Sequence, residues 1–179
     1  MGVIFDILGS FVVRAAIVAV MLNLMISLNE ALYRKNDRLY LTQVLEAPAK
    51  VIANDLRLAG YNASKTFARA YSNDMMFYAD TGNDGSIETI RFYLSGSTLY
   101  RTINGGTPFE LARSVTYYRI YYYNIYSNQV GGSNINGIKS VYVQLTIRST
   151  NNITSINTGS SSSSNQVATW EDRIFPPNL

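Results

Sequence analysis

The feature that most constrains this chain is an apolar run at residues 3–28, VIFDILGSFVVRAAIVAVMLNLMISL, whose only charged residues are Asp6 and Arg14. As a helix the run would extend about 39 Å at about 1.5 Å per residue, enough to cross the hydrocarbon core of a bilayer. No basic segment precedes the run and no small-residue cleavage site follows it, although a signal peptide would need both. We therefore expect a retained membrane anchor.

The following segment, residues 29–60, has the pattern of an amphipathic helix. Its apolar residues recur at intervals of three and four: Leu41, Val44, Leu45, Pro48, Ile52, Leu56 and Ala59. This spacing predicts a helix with one face packed on a core. Because proline lacks a backbone donor and clashes with the preceding turn, we expect a kink or a break at Pro48, and Gly60 predicts the helix end.

These two segments predict the domain organisation. Residues 1–30 form an apolar helix for the membrane or a filament core. Residues 31–179 form a β-rich head that includes the amphipathic helix 31–60.

From about residue 70 onward the pattern is that of β-strands. Six strands are predicted, at Met75–Tyr78, Thr89–Leu94, Thr98–Thr102, Val115–Tyr126, Ile138–Ser149 and Ala168–Ile174. The sequence Ser95-Gly96-Ser97 predicts a hairpin between the second and third of them. Strict alternation in the fifth places four apolar residues on one face: Val141, Val143, Leu145 and Ile147. We expect an α+β fold in which one antiparallel sheet of four or five strands packs against residues 40–59.

Composition disfavours an enzyme. Cysteine and histidine are both absent, which excludes a cysteine nucleophile, a Ser-His-Asp triad and zinc sites built from thiolate or imidazole ligands. No paired acids and no nucleophile elbow are evident. The net charge is only +3 and the lysines and arginines are scattered along the sequence, so we expect no nucleic-acid partner.

One loop has the composition of a calcium site. Residues 80–88, DTGNDGSIE, contain four candidate Ca²⁺ ligands: Asp80, Asn83, Asp84 and Glu88. A hard cation takes six or more oxygen ligands, and glycine permits the sharp turn around it. The EF-hand pattern fails at its third and twelfth positions, where Gly82 and Arg91 stand. The alternative is an ordinary Asn-Asp-Gly turn with no cofactor.

Two further features concern the surface of the head. Of the fourteen tyrosines, six lie within residues 117–126. Alternation along a strand would place one ring in the core and the next on the surface, where a stripe could contact other heads or a ligand. The sequons at Asn62 and Asn152 are candidate glycosylation sites if the head is extracytoplasmic.

Two short stretches resemble the type IV pilin superfamily, and most of all the minor pilins and pseudopilins of the PulJ or PilW kind. One is Asn54-Asp55-Leu56-Arg57-Leu58-Ala59-Gly60-Tyr61, at the end of the long helix. The other is Ile90–Arg101, which ends in a Leu-Tyr-Arg triplet. The order of elements resembles that family over the whole chain. The sequence departs from it near the N-terminus, where the family has a glutamate and Asp6 is the only nearby acid.

The resemblance implies a structural subunit of a helical cell-surface filament, such as a type IV pilus or a type II secretion pseudopilus. Its partners would be copies of itself, other pilin-like subunits, a membrane assembly machinery and, before assembly, membrane lipid. The alternative is a single-pass adhesion or binding module that does not polymerise. The resemblance also implies an extracytoplasmic head, whereas the basic residues Arg34, Lys35 and Arg38 after the apolar run would place the head in the cytoplasm. We follow the resemblance, because the acids Glu30 and Asp37 dilute this charge signal.

Within a filament, the two charges of the apolar run have a specific expected role. Asp6 and Arg14 are eight residues apart, whereas helical ion pairs form at a spacing of three or four. We therefore expect these two residues to form a charge pair between subunits.

Overall fold

The structure is a computed structural model that describes residues 2–131, 135, 137–150 and 165–179, with the side chains of residues 2–7 outside the description. Within these residues one helix is followed by nine strands. The helix is α1 (Gly2–Arg57), and the strands are β1 (Phe67–Ala70), β2 (Asp74–Ala79), β3 (Glu88–Ser95), β4 (Thr98–Ile103), β5 (Phe109–Ala112), β6 (Val115–Tyr123), β7 (Gln129–Val130), β8 (Ser140–Arg148) and β9 (Val167–Ile174). The α+β fold predicted from the sequence is confirmed.

Helix α1 is continuous from the apolar run into the head. It passes through Pro48, so of the predicted kink or break the break does not occur. Pro48 is buried on the face that packs against the head, and this packing stabilises a helix that proline alone would disfavour. Beyond Arg57 the chain turns, and the amide of Gly60 donates to the carbonyl oxygen of Tyr78 on β2. Gly60 has φ +80°, and a Cβ there would lie 2.8 Å from the Thr66 hydroxyl oxygen, so this turn requires glycine.

The strands form two sheets, and the predicted single sheet is wrong. One sheet has five antiparallel strands in the order β1-β2-β3-β4-β5. The other has four in the order β7-β6-β8-β9. The predicted hairpin is confirmed as β3–β4, with Leu94 opposite Leu99. The predicted strand that starts at Val115 ends at Tyr123, three residues early, because Asn124 begins a tight turn.

The core lies between α1 and the two sheets. Alternation in β8 is confirmed, because Val141, Val143, Leu145 and Ile147 are all buried. On α1 the buried apolar residues are Leu41, Leu45, Pro48, Ala49, Ile52, Ala53 and Leu56. Val44 is 39% exposed, so its predicted place in the core is wrong. The first buried residue along the described part of α1 is Asp37, and the helix therefore joins the head about one turn before Leu41.

The tyrosines of β6 alternate as predicted. Tyr118 and Tyr122 are buried, whereas Tyr117 is exposed and Tyr121 and Tyr123 are half-buried on the other face. Burial raises the pKa of both Tyr118 and Tyr122. Strand β6 therefore supplies the core on one side and an aromatic surface on the other.

Candidate functional site

The first half of α1 is an apolar surface without a covering partner in the described part of the chain. Twelve large apolar side chains between Leu8 and Leu28 are each at least half exposed: Leu8, Phe11, Val12, Val13, Ile17, Val18, Val20, Met21, Leu22, Leu24, Met25 and Leu28. An 18-residue window of this helix has a mean hydropathy of 2.2 with none of it buried. By length and composition the helix can cross a membrane.

This surface also carries the charged residues singled out from the sequence. Arg14 is exposed on α1. The backbone of Asp6 belongs to the same helix, and its side chain lies outside the described residues. A straight helix places the two positions about 12 Å apart along its axis and roughly 80° apart around it. That separation is too large for a helical ion pair at three or four residues.

The second half of α1 is tied to the head by an ion pair. The Arg101 guanidinium on β4 donates from Nε to Oδ2 of Asp55 at 2.6 Å, and their side chains are only 21% and 13% exposed. Burial raises the pKa of Asp55, and the hydrogen bond from Arg101 offsets this only in part, so the pKa lies above its ordinary value. The two stretches that carry the sequence resemblance are thus in direct contact.

A second polar link lies where α1 enters the head. The hydroxyl of Ser149 donates to Oδ1 of Asp37 at 2.9 Å, and both residues are buried. Sequence reasoning did not identify this link. The available signal was the position of Asp37 four residues before Leu41 and eight before Leu45, which places it on the buried face of the helix.

An open groove of about 620 Å³ separates α1 from β9. Ala49 and Ala53 line it on the helix side, and Trp170 and Asp172 line it on the strand side. Sequence reasoning did not identify this groove. Trp170 is the single tryptophan of the chain and lies half-buried, and its large apolar surface was the one local signal.

The acidic side chains in the loop of residues 80–88 accept hydrogen bonds from other groups of the protein. Asp80 is buried and accepts hydrogen bonds from Asn62 and from the amides of Asp84 and Gly85, at 3.0–3.1 Å. The hydrogen bond from Asn62 contributes most to holding the pKa of Asp80 below its ordinary value. The geometry is that of a closed turn around Asp80.

The other candidate ligands of this loop also have protein donors. Glu88 accepts from the amide and hydroxyl of Thr81, Asp84 accepts from the amide of Ser86, and Asn83 accepts from the Tyr61 hydroxyl. Across the described residues, no group of three or more His, Cys, Asp or Glu is arranged to hold a metal ion. A calcium ion would therefore have to displace several hydrogen bonds.

We expect calcium to leave the stability of the head unchanged. The measurement is the melting temperature of the protein in calcium and in chelator, with the Asp80→Asn variant as a control for loss of the turn. Asp80→Asn should lower the melting temperature in both buffers, because buried Asp80 anchors three donors. A calcium-dependent rise that Asp80→Asn removes would instead establish Asp80 as a ligand.

The two sequons differ in what the structure describes. Asn62 is exposed in the turn after α1, with φ +55°, and its Nδ2 donates to Asp80. Nδ2 is also the atom that would carry a glycan, which would replace one of its two hydrogens. Asn152 lies outside the described residues.

Neither a family model nor a curated protein matches the sequence. Among solved structures, a type IV-like pilin from Thermus thermophilus is similar with a TM-score of 0.53 and 14% sequence identity, over 78% of this chain and 97% of that chain. At this identity the likeness concerns the fold. One long N-terminal helix with antiparallel sheets packed on its second half is a type IV pilin-like α+β fold.

Proposed function

We propose that this protein is a structural subunit of a pilin-like helical filament. The observation that carries the proposal is the division of α1, whose first half is exposed and apolar while its second half is buried in the head. Covering twelve large apolar side chains, each already partly shielded by its own helix, is favourable by on the order of 15 kcal/mol. That gain is comparable to the whole stability of a domain of this size. Such a surface is therefore held in lipid or against other helices.

The partners that we propose follow from this surface. Before assembly the apolar half of α1 lies in the cytoplasmic membrane with the head on the extracytoplasmic side. After assembly it bundles with the same segment of other copies, and the heads tile the filament surface. Other pilin-like subunits and a membrane assembly machinery complete the partners. The role is structural and not enzymatic.

We further propose that the chain is a minor pilin or pseudopilin of the PulJ or PilW kind. What supports this finer assignment is the contact between Asp55 and Arg101. Each belongs to one of the two stretches in which the sequence resembles those proteins. This long-range ion pair docks the helix on the hairpin, and that shared role would explain why both stretches resemble the same proteins.

Removing residues 1–28 should abolish assembly and leave the head folded. The core of the head begins on α1 only at Asp37 and Leu41, so a fragment that starts at Asn29 keeps every buried helix residue. It should be soluble without detergent and melt in one cooperative transition. Electron microscopy and sedimentation, with the full chain as the control, are the measurements.

Two results would contradict this proposal. Filaments formed by the fragment would show that the apolar half of α1 is dispensable. A full chain that stays monomeric in membranes of the native source, with no filament visible by electron microscopy, would favour the single-pass binding module.

A further inference from the structure

The outward face of the four-stranded sheet has an unusual composition. Pairing of β6, β8 and β9 arranges its side chains in four adjacent cross-strand rows: Tyr117–Thr146–Thr169, Arg119–Gln144–Glu171, Tyr121–Tyr142–Arg173 and, with Phe175 just beyond β9, Tyr123–Ser140–Phe175. Arg148 extends the face beyond the first row, beside Val167. We call this set of residues the outer face. Rows of this kind repeat about every 7 Å along a sheet and strands about every 4.8 Å across it.

Two tyrosines of the outer face lie along the sheet instead of standing away from it. Tyr117 and Tyr121 are four residues apart on β6, roughly 13 Å in an extended strand. Their hydroxyl oxygens are nevertheless 3.3 Å apart. Both side chains must therefore lean towards each other over the position of Arg119. The two rings therefore form an aromatic surface that lies close to the sheet, with the two hydroxyl groups adjacent at its centre.

The remaining groups of the outer face are held by one another. The Tyr142 hydroxyl donates to Glu171 at 2.7 Å, and the Tyr121 and Tyr142 ring centroids are 5.9 Å apart. The Arg173 guanidinium lies 4.4 Å from the Tyr123 ring centroid and donates to the Ser140 hydroxyl. Because these side chains already have fixed positions, a ligand would lose little free energy in ordering them.

The outer face has an excess of positive charge. It contains Arg119, Arg148 and Arg173 against the single acid Glu171, a net charge of +2 where the whole chain has +3. Arg119 and Arg148 are exposed, and within the described residues neither forms an ion pair. The sheet thus brings three arginines that are far apart in the sequence onto one surface.

The outer face also points away from the part of the molecule that would lie in a filament core. The opposite face of the same sheet packs against α1, where Trp170 and Asp172 of β9 meet the helix. If α1 lies at the filament centre, as the proposed function requires, the outer face is on the filament exterior. There the face is accessible to a ligand from outside the filament.

We infer that the outer face binds an acidic polysaccharide, with sugar rings stacked on Tyr117 and Tyr121 and the sugar carboxylates paired with Arg119 and Arg148. Tyrosine provides a rigid apolar face together with a polar hydroxyl, which suits the alternating C–H and O–H surfaces of a sugar. Arginine binds carboxylates through planar, charge-assisted hydrogen bonds. Repetition of the face along a filament would raise the avidity for a long polymer.

The mixture of donors and acceptors favours a polysaccharide over a single-stranded nucleic acid. Sugar hydroxyls require both kinds of partner, and the outer face supplies them through Gln144, Thr169 and Glu171. A nucleic acid requires an unbroken basic track along its phosphates. Here Glu171 lies in the same row as Arg119, so the face has no unbroken basic track.

The test is binding of the full chain, as single subunits in detergent, to polygalacturonate and to its methyl ester. The ester has the same sugar rings without the negative charge. We expect binding to polygalacturonate at low salt, severalfold weaker binding to the ester, and weakening as salt rises. Tyr121→Ala and Arg119→Gln should each weaken binding on the order of tenfold.

Matched controls lie on other surfaces of the head. Tyr126, which is 81% exposed in the turn after β6, and Arg113, whose side chain is 79% exposed beyond β5, are outside the outer face. Tyr126→Ala and Arg113→Gln should bind as the unaltered protein does. Unchanged melting temperatures of the two outer-face variants would show that the fold is intact.

Four results would overturn the inference: no binding to polygalacturonate, equal binding to the ester, stronger binding to single-stranded DNA, or full binding by both outer-face variants. The inference rests on the proposed function only for the exterior position of the outer face. Failure of the inference can therefore be distinguished from failure of the proposed function. Single subunits that bind but never polymerise would leave the polysaccharide site standing. Filaments that assemble but do not bind would remove the site alone.

Discussion

Asp6→Asn and Arg14→Leu are each expected to abolish or weaken filament assembly. If residues 3–28 span the bilayer, Arg14 lies near its middle, where an unpaired charge costs on the order of 3 kcal/mol or more. Starting the span after Arg14 leaves only about 15 uncharged residues before Glu30, fewer than the roughly 20 that a span requires. The charge therefore needs a partner at membrane depth.

The partner that we propose is Asp6 of a neighbouring copy. A neighbouring helix displaced by about 12 Å along the axis would bring its Asp6 beside Arg14. Helical stacking of identical subunits supplies such a displacement. The desolvated pair forms only in the filament, so it favours assembly over residence in lipid.

The charge swap separates this explanation from a general effect of the substitutions. Asp6→Arg combined with Arg14→Asp should partly restore the filaments seen by electron microscopy. Arg34→Leu is the matched control, because Arg34 is exposed on α1 outside the apolar run, and it should leave assembly unchanged. Normal filaments from both single variants would mean that the two charges reach water or headgroups separately.

The elements with strong periodic patterns could be predicted from the sequence. Helix α1 combines an apolar run with an amphipathic half, and β8 alternates over nine residues. In contrast, β1 and β5 have four residues each and β7 has two. Segments this short have no measurable period, and they become strands only by pairing with the strand next to them in the sequence. The prediction therefore contained too few strands.

The division into two sheets could not be predicted for a related reason. Between β5 and β6 the chain turns at Ser114, which has φ +53°. Serine at a positive φ has no distinctive local signal, unlike the glycine at position 60. Whether β6 continues the first sheet or starts a second depends on its pairing with β8, whose partner residues are 17 to 32 positions away. Such non-local pairing is not encoded in a short window of sequence.

The candidate sites show the same contrast. A site formed by residues that are close in the sequence could be predicted, whereas a site formed by distant residues could not. The loop at Asp80 was visible because its acids are close in sequence. The outer face, by contrast, gathers Arg119, Arg148 and Arg173 from three strands, and in the sequence they are simply separate charges. The links from Asp37 to Ser149 and from Asp55 to Arg101 likewise join residues 112 and 46 positions apart.

The link between Asp55 and Arg101 is expected to be the most costly one to break on one side. Arg101→Met should lower the free energy of unfolding by about 2–3 kcal/mol at neutral pH, because it leaves a largely buried carboxylate without its cation. Urea unfolding of the head, as the fragment that starts at Asn29, is the measurement. Arg113→Met, which removes an arginine whose side chain is 79% exposed, is the matched control and should change stability little.

The pH dependence of this loss has a definite sign. The pKa of Asp55 already lies above its ordinary value, and removing Arg101 raises it further. A carboxyl whose folded-state pKa is raised binds more protons in the folded state, so its ionisation destabilises the fold above that pKa. The stability deficit of Arg101→Met should therefore shrink as the pH falls from 7 towards 5.

Adding a second substitution should also recover most of the loss. Asp55→Leu together with Arg101→Met replaces the ion pair by apolar groups of similar size, which is often neutral or stabilising. Asp55→Leu alone should cost less than Arg101→Met alone, because Arg101 is the more exposed partner and its long side chain can reach water. An Arg101→Met deficit that stays constant with pH, or a double variant no more stable than Arg101→Met, would show that the contact between helix and hairpin depends on packing and not on the ion pair.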